Sequence, residues 1–438
     1  MLFMKKILPY LLLYFILLVS CTAKKTDSNS KKAFHEQIVS GFDQQHHVGF
    51  ILKDLQTGEV VFEKDADKSF NSSSNIRLFT LYTALNVLED SIPTFQYSLK
   101  GDSLLLWPMA DPTFLHPDFP SQPAFDFLKN SGKNIYLVNG RYKGNKFGNG
   151  WVWDNYTSGN QTEIRDLPIY GNVISYVVDG NKTATLSPDL PSLFYSELKE
   201  DSNTKTVRRS VSGNNLYVPA SLSAGYTQKI PIAFNNTLTE SLLTDTLLAN
   251  GYAITSVIGI PWQPVSENAK IVYNNSALSL YKRMLTTETN LEAEHLLLNC
   301  AALSGGEMSF LAGKRLANKY LSGVLEEKSY RWEDACGLSP NNLASPRVFA
   351  TLLEKIDAKV ADREKLLSLF PTHLANNQQA FVFAQEAKTT TVYNVTGYLI
   401  GKSGKTYAFS YLNNNIVKPE SEIKSEIEKN LLLIHSNF

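Results

Sequence analysis

Cysteine is scarce: the 438-residue chain has three, at positions 21, 300 and 336. So few exclude a disulfide framework and leave open only whether Cys300 and Cys336 pair. Histidine is sparse as well, at seven, and none falls in metal-ligand spacing, so neither a metal nor any other cofactor is expected. An excess of one charge is also missing, with 42 basic side chains against 42 acidic ones. Without a basic tail or patch, nucleic acid is excluded as a partner class. The apolar run at residues 7–19 is too short to span a bilayer comfortably and carries no stop-transfer charges.

That run follows Lys5 and Lys6 and ends in Leu18-Val19-Ser20-Cys21. The layout is that of a signal peptide, and its end resembles the lipobox of bacterial lipoproteins. The resemblance implies cleavage before Cys21 and acylation of its thiol, with membrane attachment through the lipid alone. Residues 1–20 are then the signal peptide, and 21–35 are the lipidated N-terminus and a polar tether. Thr22 after the cysteine favours an outer membrane where the cell has one.

The body that follows exceeds the size at which one hydrophobic core stops growing, so more than one domain is expected. From His47 two alternating runs meet at Gln56-Thr57-Gly58, a hairpin signal. A polar stretch then leads into a segment whose Leu78, Leu81, Tyr82, Leu85 and Leu88 recur at helical spacing. Ser74 just before it has the position of an ordinary helix N-cap. Residues 100–280 differ, with short strand-like pieces between turn clusters and the string Gly148-Asn149-Gly150-Trp151-Val152-Trp153-Asp154. Helical patterns return over 290–318, broken at Gly305-Gly306, and over 347–356. The chain ends in a hairpin turning at Gly401-Lys402-Ser403-Gly404 and a last helix. A hairpin and helix at each end predict one domain built from both termini, 36–98 with 280–438, and an insertion of one or more domains over 99–279.

With these segments in place, the sequence resembles the serine D-alanyl-D-alanine carboxypeptidases of the penicillin-binding protein 4 type, peptidase family S13. The resemblance rests on Ser74-Asn75-Ile76-Arg77-Leu78-Phe79-Thr80, Asp111-Pro112-Thr113, the Gly-Trp-x-Trp-Asp string ending at Asp154, residues 290–294, Gly337-Leu338-Ser339-Pro340-Asn341-Asn342-Leu343, and Val392-Tyr393-Asn394-Val395-Thr396-Gly397. It implies an α/β (α+β) serine β-lactamase/transpeptidase-like domain, an antiparallel sheet flanked by helices and interrupted by inserted mostly-β domains. It also implies acyl transfer through a serine ester, with peptidoglycan peptides or D-Ala-D-Ala-like ligands as partners and envelope proteins as further candidates.

Ser74 matches the family nucleophile, but Arg77 stands where the family has its lysine base. A guanidinium with a pKa above about 12 cannot accept the serine proton. Ser339 and Asn341 match Ser-x-Asn, with Asn342 an alternative, and Cys336 stands for a family serine. A gapless alignment puts Gln385-Glu386-Ala387 in place of Lys-Thr-Gly, and a shifted one offers Lys388-Thr389-Thr390. The first register removes the cationic hook for a carboxylate, and the second still lacks the glycine. The expected function is a catalytically impaired homologue that binds stem peptides or envelope partners. The alternative is a working penicillin-binding carboxypeptidase acting through Ser74, and a third reading is a structural role with the cleft filled by side chains.

Overall fold

The computed structural model describes residues 36–438 except 43–44, 191–192, 194–198, 201–204, 220, 236, 254–255, 306 and 377–378. The signal peptide, Cys21 and the tether therefore lie outside the described residues. Among those described, no helix is long and apolar enough to cross a membrane.

The central sheet has six strands, all antiparallel, in the order Thr372–Asn376, Gln379–Thr389, Val392–Ile400, Thr406–Asn414, His47–Asp54, Val60–Lys64. Both chain ends thus contribute to one sheet, because His47–Asp54 pairs along its whole length with Thr406–Asn414. The two hairpins turn where glycine meets the backbone demand: Gly58 has φ +72° and Gly404 φ +84°. Alternation along the inner strands supplies two apolar faces. Tyr398, Ala408 and Leu412 join the core beneath the helices Arg77–Val87, Leu291–Leu303 and Pro346–Val360. Leu399, Tyr407, Phe409 and Tyr411 point the other way, under the helix Glu420–Asn437. That helix buries Ile423, Ile427, Leu431 and Ile434, a spacing that keeps one stripe on the sheet.

Between these elements lies a second, five-stranded sheet, in the order Ile258–Ile260, Asn134–Val138, Ser103–Pro108, Ser91–Lys100, Lys270–Ser276. Its Ser103–Pro108 and Asn134–Val138 strands are parallel, joined across the helix Pro123–Lys129. Parallel neighbours need a crossover connection, here through that helix. The inserted segment therefore also contains helices, the second being Leu238–Ala249. Its own core gathers Phe95, Leu106, Phe114, Leu137, Leu242 and Leu247. Smaller sheets join Thr227–Pro231, Val173–Val178 and Ala184–Ser187, and then Lys199–Glu200, Arg208–Arg209 and Leu216–Val218. The strand Ser91–Lys100 belongs wholly to the second sheet, so the boundary expected at 98–99 falls inside a strand.

Candidate active site

Ser74 does not act as a helix cap. It sits within a single 3-10 turn, Ser73–Ile76, which runs directly into the helix Arg77–Val87, and neither start has a side-chain cap. Ser73 has φ +45°, a left-handed conformation costly for a non-glycine residue, and its N–H donates to Asn71 Oδ1 at 2.9 Å. The turn is held from the sheet side: Gln385 Nε2 donates to the Ser74 carbonyl at 3.1 Å, and Asn75 Nδ2 donates to the Gln385 carbonyl at 3.2 Å. Asn394 Nδ2 reaches the carbonyls of Asn71 and Ser72 at 3.0 and 3.3 Å. The result is a half-buried Ser74 whose Oγ lies 3.5 Å from the Glu386 carbonyl oxygen, at the mouth of a cleft of about 680 Å³.

The second wall is the loop after Trp332. Asp334 organises it: one carboxylate oxygen accepts from Gly337 N at 2.8 Å and Asn342 Nδ2 at 2.7 Å, the other from Ser339 N at 2.6 Å and Trp151 Nε1 at 2.7 Å. Ser339 and Asn342 are fully buried, and Asn342 Oδ1 accepts from Glu333 N at 2.8 Å. Asn342 is thus spent on the loop, while Asn341 remains exposed. Gly150 packs so closely that a Cβ there would lie 3.0 Å from Ser339 Oγ and 3.1 Å from Asn341 Nδ2. The inserted segment closes this side through the Gly148–Asp154 string, with Val152, Asn155 and Asn160 lining the cleft. The other motif residues are ties in the scaffold: Asn290 Oδ1 accepts from Thr162 N at 2.9 Å, and Asp111 from Thr113 N at 2.8 Å.

Arg77 lies at the back of the cleft, 2% exposed. Nε donates to the Cys336 carbonyl at 2.9 Å, and the terminal nitrogens to the carbonyls of Met284 at 2.7 Å and Thr289 at 2.9 Å, and to that of Thr287. The contacts are to backbone carbonyls, not to a paired carboxylate as the sequence had left open. Burial pushes the guanidinium pKa down, yet such a group stays protonated. Cys336 is buried, its thiol is pushed well up by desolvation, and both it and Cys300 are free. Buried beside the Glu294 and Asp334 carboxylates, whose charges raise its pKa further, the thiol is no nucleophile.

The third wall is the strand Gln379–Thr389. It pairs with Val392–Ile400 without interruption from Val382 to Thr389, and the register sets Gln385 opposite Thr396 and Lys388 opposite Tyr393. Gln385-Glu386-Ala387 is therefore the stretch beside Ser74. Gln385 is 1% exposed and does not line the cleft, whereas Glu386, Lys388 and Thr389 do. Lys388 Nζ is drawn to Glu420 at 3.3 Å and Glu288 at 3.9 Å. Two residues outside the sequence expectations complete the picture. His373 Nδ1 lies 2.8 Å from Glu386 Oε1 and Tyr393 OH donates to Glu386 Oε2 at 2.9 Å, so these contacts, led by His373, hold the Glu386 carboxyl down at about 2. Glu294 is buried under the Asp334 loop, accepting from Ala335 N at 2.8 Å and Cys336 N at 2.9 Å. Desolvation, and after it the Asp334 charge, raise its pKa to about 8. A signal for Glu294 existed, a carboxylate inside the otherwise apolar run LEAEHLLLNCAAL; none existed for His373.

Comparison with known proteins places this arrangement. D-alanyl-D-alanine carboxypeptidase DacB of Haemophilus influenzae is 22% identical over 429 residues, covering 87% of this chain and 88% of that protein. The crystal structure of penicillin binding protein 4 (dacB) from the same organism superposes with a TM-score of 0.71 at 16% identity, over 92% of this chain and 99% of that one. A predatory peptidoglycan endopeptidase from Bdellovibrio bacteriovorus gives a TM-score of 0.51 at 12% identity, over 89% and 94%. The model of the D-Ala-D-Ala carboxypeptidase 3 (S13) family matches residues 36–437, and the chain belongs to that family.

Proposed function

We propose that this protein is a cell-envelope lipoprotein, acylated at Cys21, that binds peptidoglycan stem peptides in the cleft beside Ser74 while its acyl-transfer chemistry is impaired. The observation that carries the reading is Arg77, whose guanidinium donates into backbone carbonyls and is not bonded to Ser74. A serine hydroxyl is a poor nucleophile without a base in reach, and a guanidinium accepts no proton. The cleft is open rather than filled, and the strand edge over 385–389 has no partner strand on its outer side among the described residues. An extended peptide can pair with such an edge. The inserted segment over 99–279 acts as a domain of its own that supplies one cleft wall. Ser339 lines the cleft from the loop, and Glu386, Lys388 and Thr389 from the strand, while Asn341 is not among the lining residues.

Fluorescent penicillin labelling tests the reading. The expected outcome is no stoichiometric acylation of the native chain. Rapid labelling that disappears in Ser74→Ala would establish the alternative, a working serine carboxypeptidase with another group in place of the lysine. Palmitate labelling lost in Cys21→Ala checks the anchor.

A further inference from the structure

A cleft that receives the free C-terminus of a peptide needs a cation or several N–H donors at the place where the carboxylate sits. The strand edge beside Ser74 presents the opposite. Glu386 lines the cleft with a side chain 32% exposed and a carboxylate held ionised by its neighbours. A carboxylate has about four lone-pair sites, and the bonds from His373 and Tyr393 occupy two of them. His373 faces Glu386 through Nδ1, which leaves Nε2 on the other side of the ring. That nitrogen is buried without a partner, in a side chain 1% exposed, and the ring lines the same cleft. The cations nearby are committed elsewhere. Arg77 gives its donors to carbonyls, and Lys388, which also lines the cleft, is paired with Glu420 and Glu288.

We infer that Glu386 and His373 form a subsite for an ammonium group of the ligand, so that the cleft prefers a peptide carrying a primary amine at this point over one ending in a free carboxylate. An ammonium brings three donors and a positive charge, matching the anionic Glu386 carboxylate and its open lone-pair sites. A carboxylate there meets the like charge of Glu386. The inference rests on the reading that the cleft is a peptide site, and it specifies which end chemistry that site accepts.

The full chain in non-ionic detergent allows two separate measurements. In the first, n-butylammonium and butyrate are titrated against the histidine ring NMR signals, with the His373 signal assigned through His373→Gln. Saturable movement of that signal with butylammonium and none with butyrate is expected. An equal or larger response to butyrate overturns the subsite. In the second, calorimetry compares N-acetyl-D-Ala-D-Ala with its C-terminal aminoethylamide. The amine form should bind at least about tenfold more tightly, and Glu386→Gln should level the two. Tighter binding of the free acid, or a preference unchanged by Glu386→Gln, also overturns it. If butylammonium is selected but neither dipeptide binds, the stem-peptide reading fails while the ammonium subsite stands.

Discussion

Arg77 Nε donates to the carbonyl oxygen of Cys336 at 2.9 Å, joining the start of the helix Arg77–Val87 to the loop that carries Ser339 across 259 positions of sequence. The same guanidinium reaches Met284 and Thr289, so one side chain fastens the helix Arg77–Val87 to two other segments around the cleft. This makes the exchange of lysine for arginine a change of task. Hydrogen bonds from a charged donor contribute about 1.5–3 kcal/mol each, and buried carbonyls left without donors add a further penalty. Arg77→Met should therefore lower stability by about 3 kcal/mol or more, read as a shifted denaturant midpoint with unchanged slope.

Arg77→Lys is expected to do little for catalysis. The amine has three donors on one centre and cannot span carbonyls that a planar fork reaches. Even where it turned toward Ser74, the strand edge would still read Gln385-Glu386-Ala387. Slow or absent acylation by fluorescent penicillin is the predicted result for this variant, and fast labelling would show that Arg77 alone had silenced the site.

The two asparagines after Ser339 separate cleanly. Asn342 is buried and bonded to Asp334 Oδ1, the Ser339 carbonyl and Glu333 N, so Asn342→Ala strands several polar groups. A loss of about 2 kcal/mol or more follows, measurable by chemical denaturation. Asn341 is exposed and does not line the cleft, and Asn341→Ala should leave stability within about 0.5 kcal/mol and peptide binding unchanged.

Much of this architecture could be read from the chain, and the parts that could not share a cause. Both hairpins and the helices around Leu78, Leu296 and Phe349 announce themselves through local periodicity and turn glycines. The five-stranded sheet does not, because Asn134–Val138 lies between Ser103–Pro108 and Ile258–Ile260, partners that no local pattern can select. The Ser74 turn was legible as a motif, yet not its geometry: Ser74 looked like a cap, and the left-handed Ser73 and the Gln385 bond show it in a turn tied to the sheet. Gln385 could be one of two alternatives until the pairing with Thr396 fixed the register. His373 carries no motif at all and meets Glu386 only once Thr372–Asn376 has paired with the neighbouring strand.

Gly337 packs the Ser339 loop tightly against the Ser73–Ser74 turn. Its φ is +93°, and a Cβ there would lie 2.3 Å from the Ser73 carbonyl oxygen and 2.6 Å from Ser74 Cα. Both the backbone conformation and the space require glycine. Gly337→Ala should cost about 2 kcal/mol or more and push the two walls apart, so peptide binding falls together with the melting temperature.

Glu294 gives the chain a pH dependence opposite in sign to that of an ion-paired carboxylate. Unfolded, the group titrates near its ordinary value of 4.5; folded, burial and then Asp334 raise it to about 8. Between those values the folded state binds more protons than the unfolded one, so this group's contribution to stability falls as pH rises through the window. Complete ionisation, well above pH 8, corresponds to a penalty on the order of 5 kcal/mol. In Glu294→Gln the amide oxygen can still accept from Ala335 and Cys336, and the titration is removed. Melting temperatures taken from pH 5 to pH 8.5 should therefore fall more steeply for the native chain than for the variant. Parallel curves would mean that Glu294 is already ionised in the folded protein at pH 5.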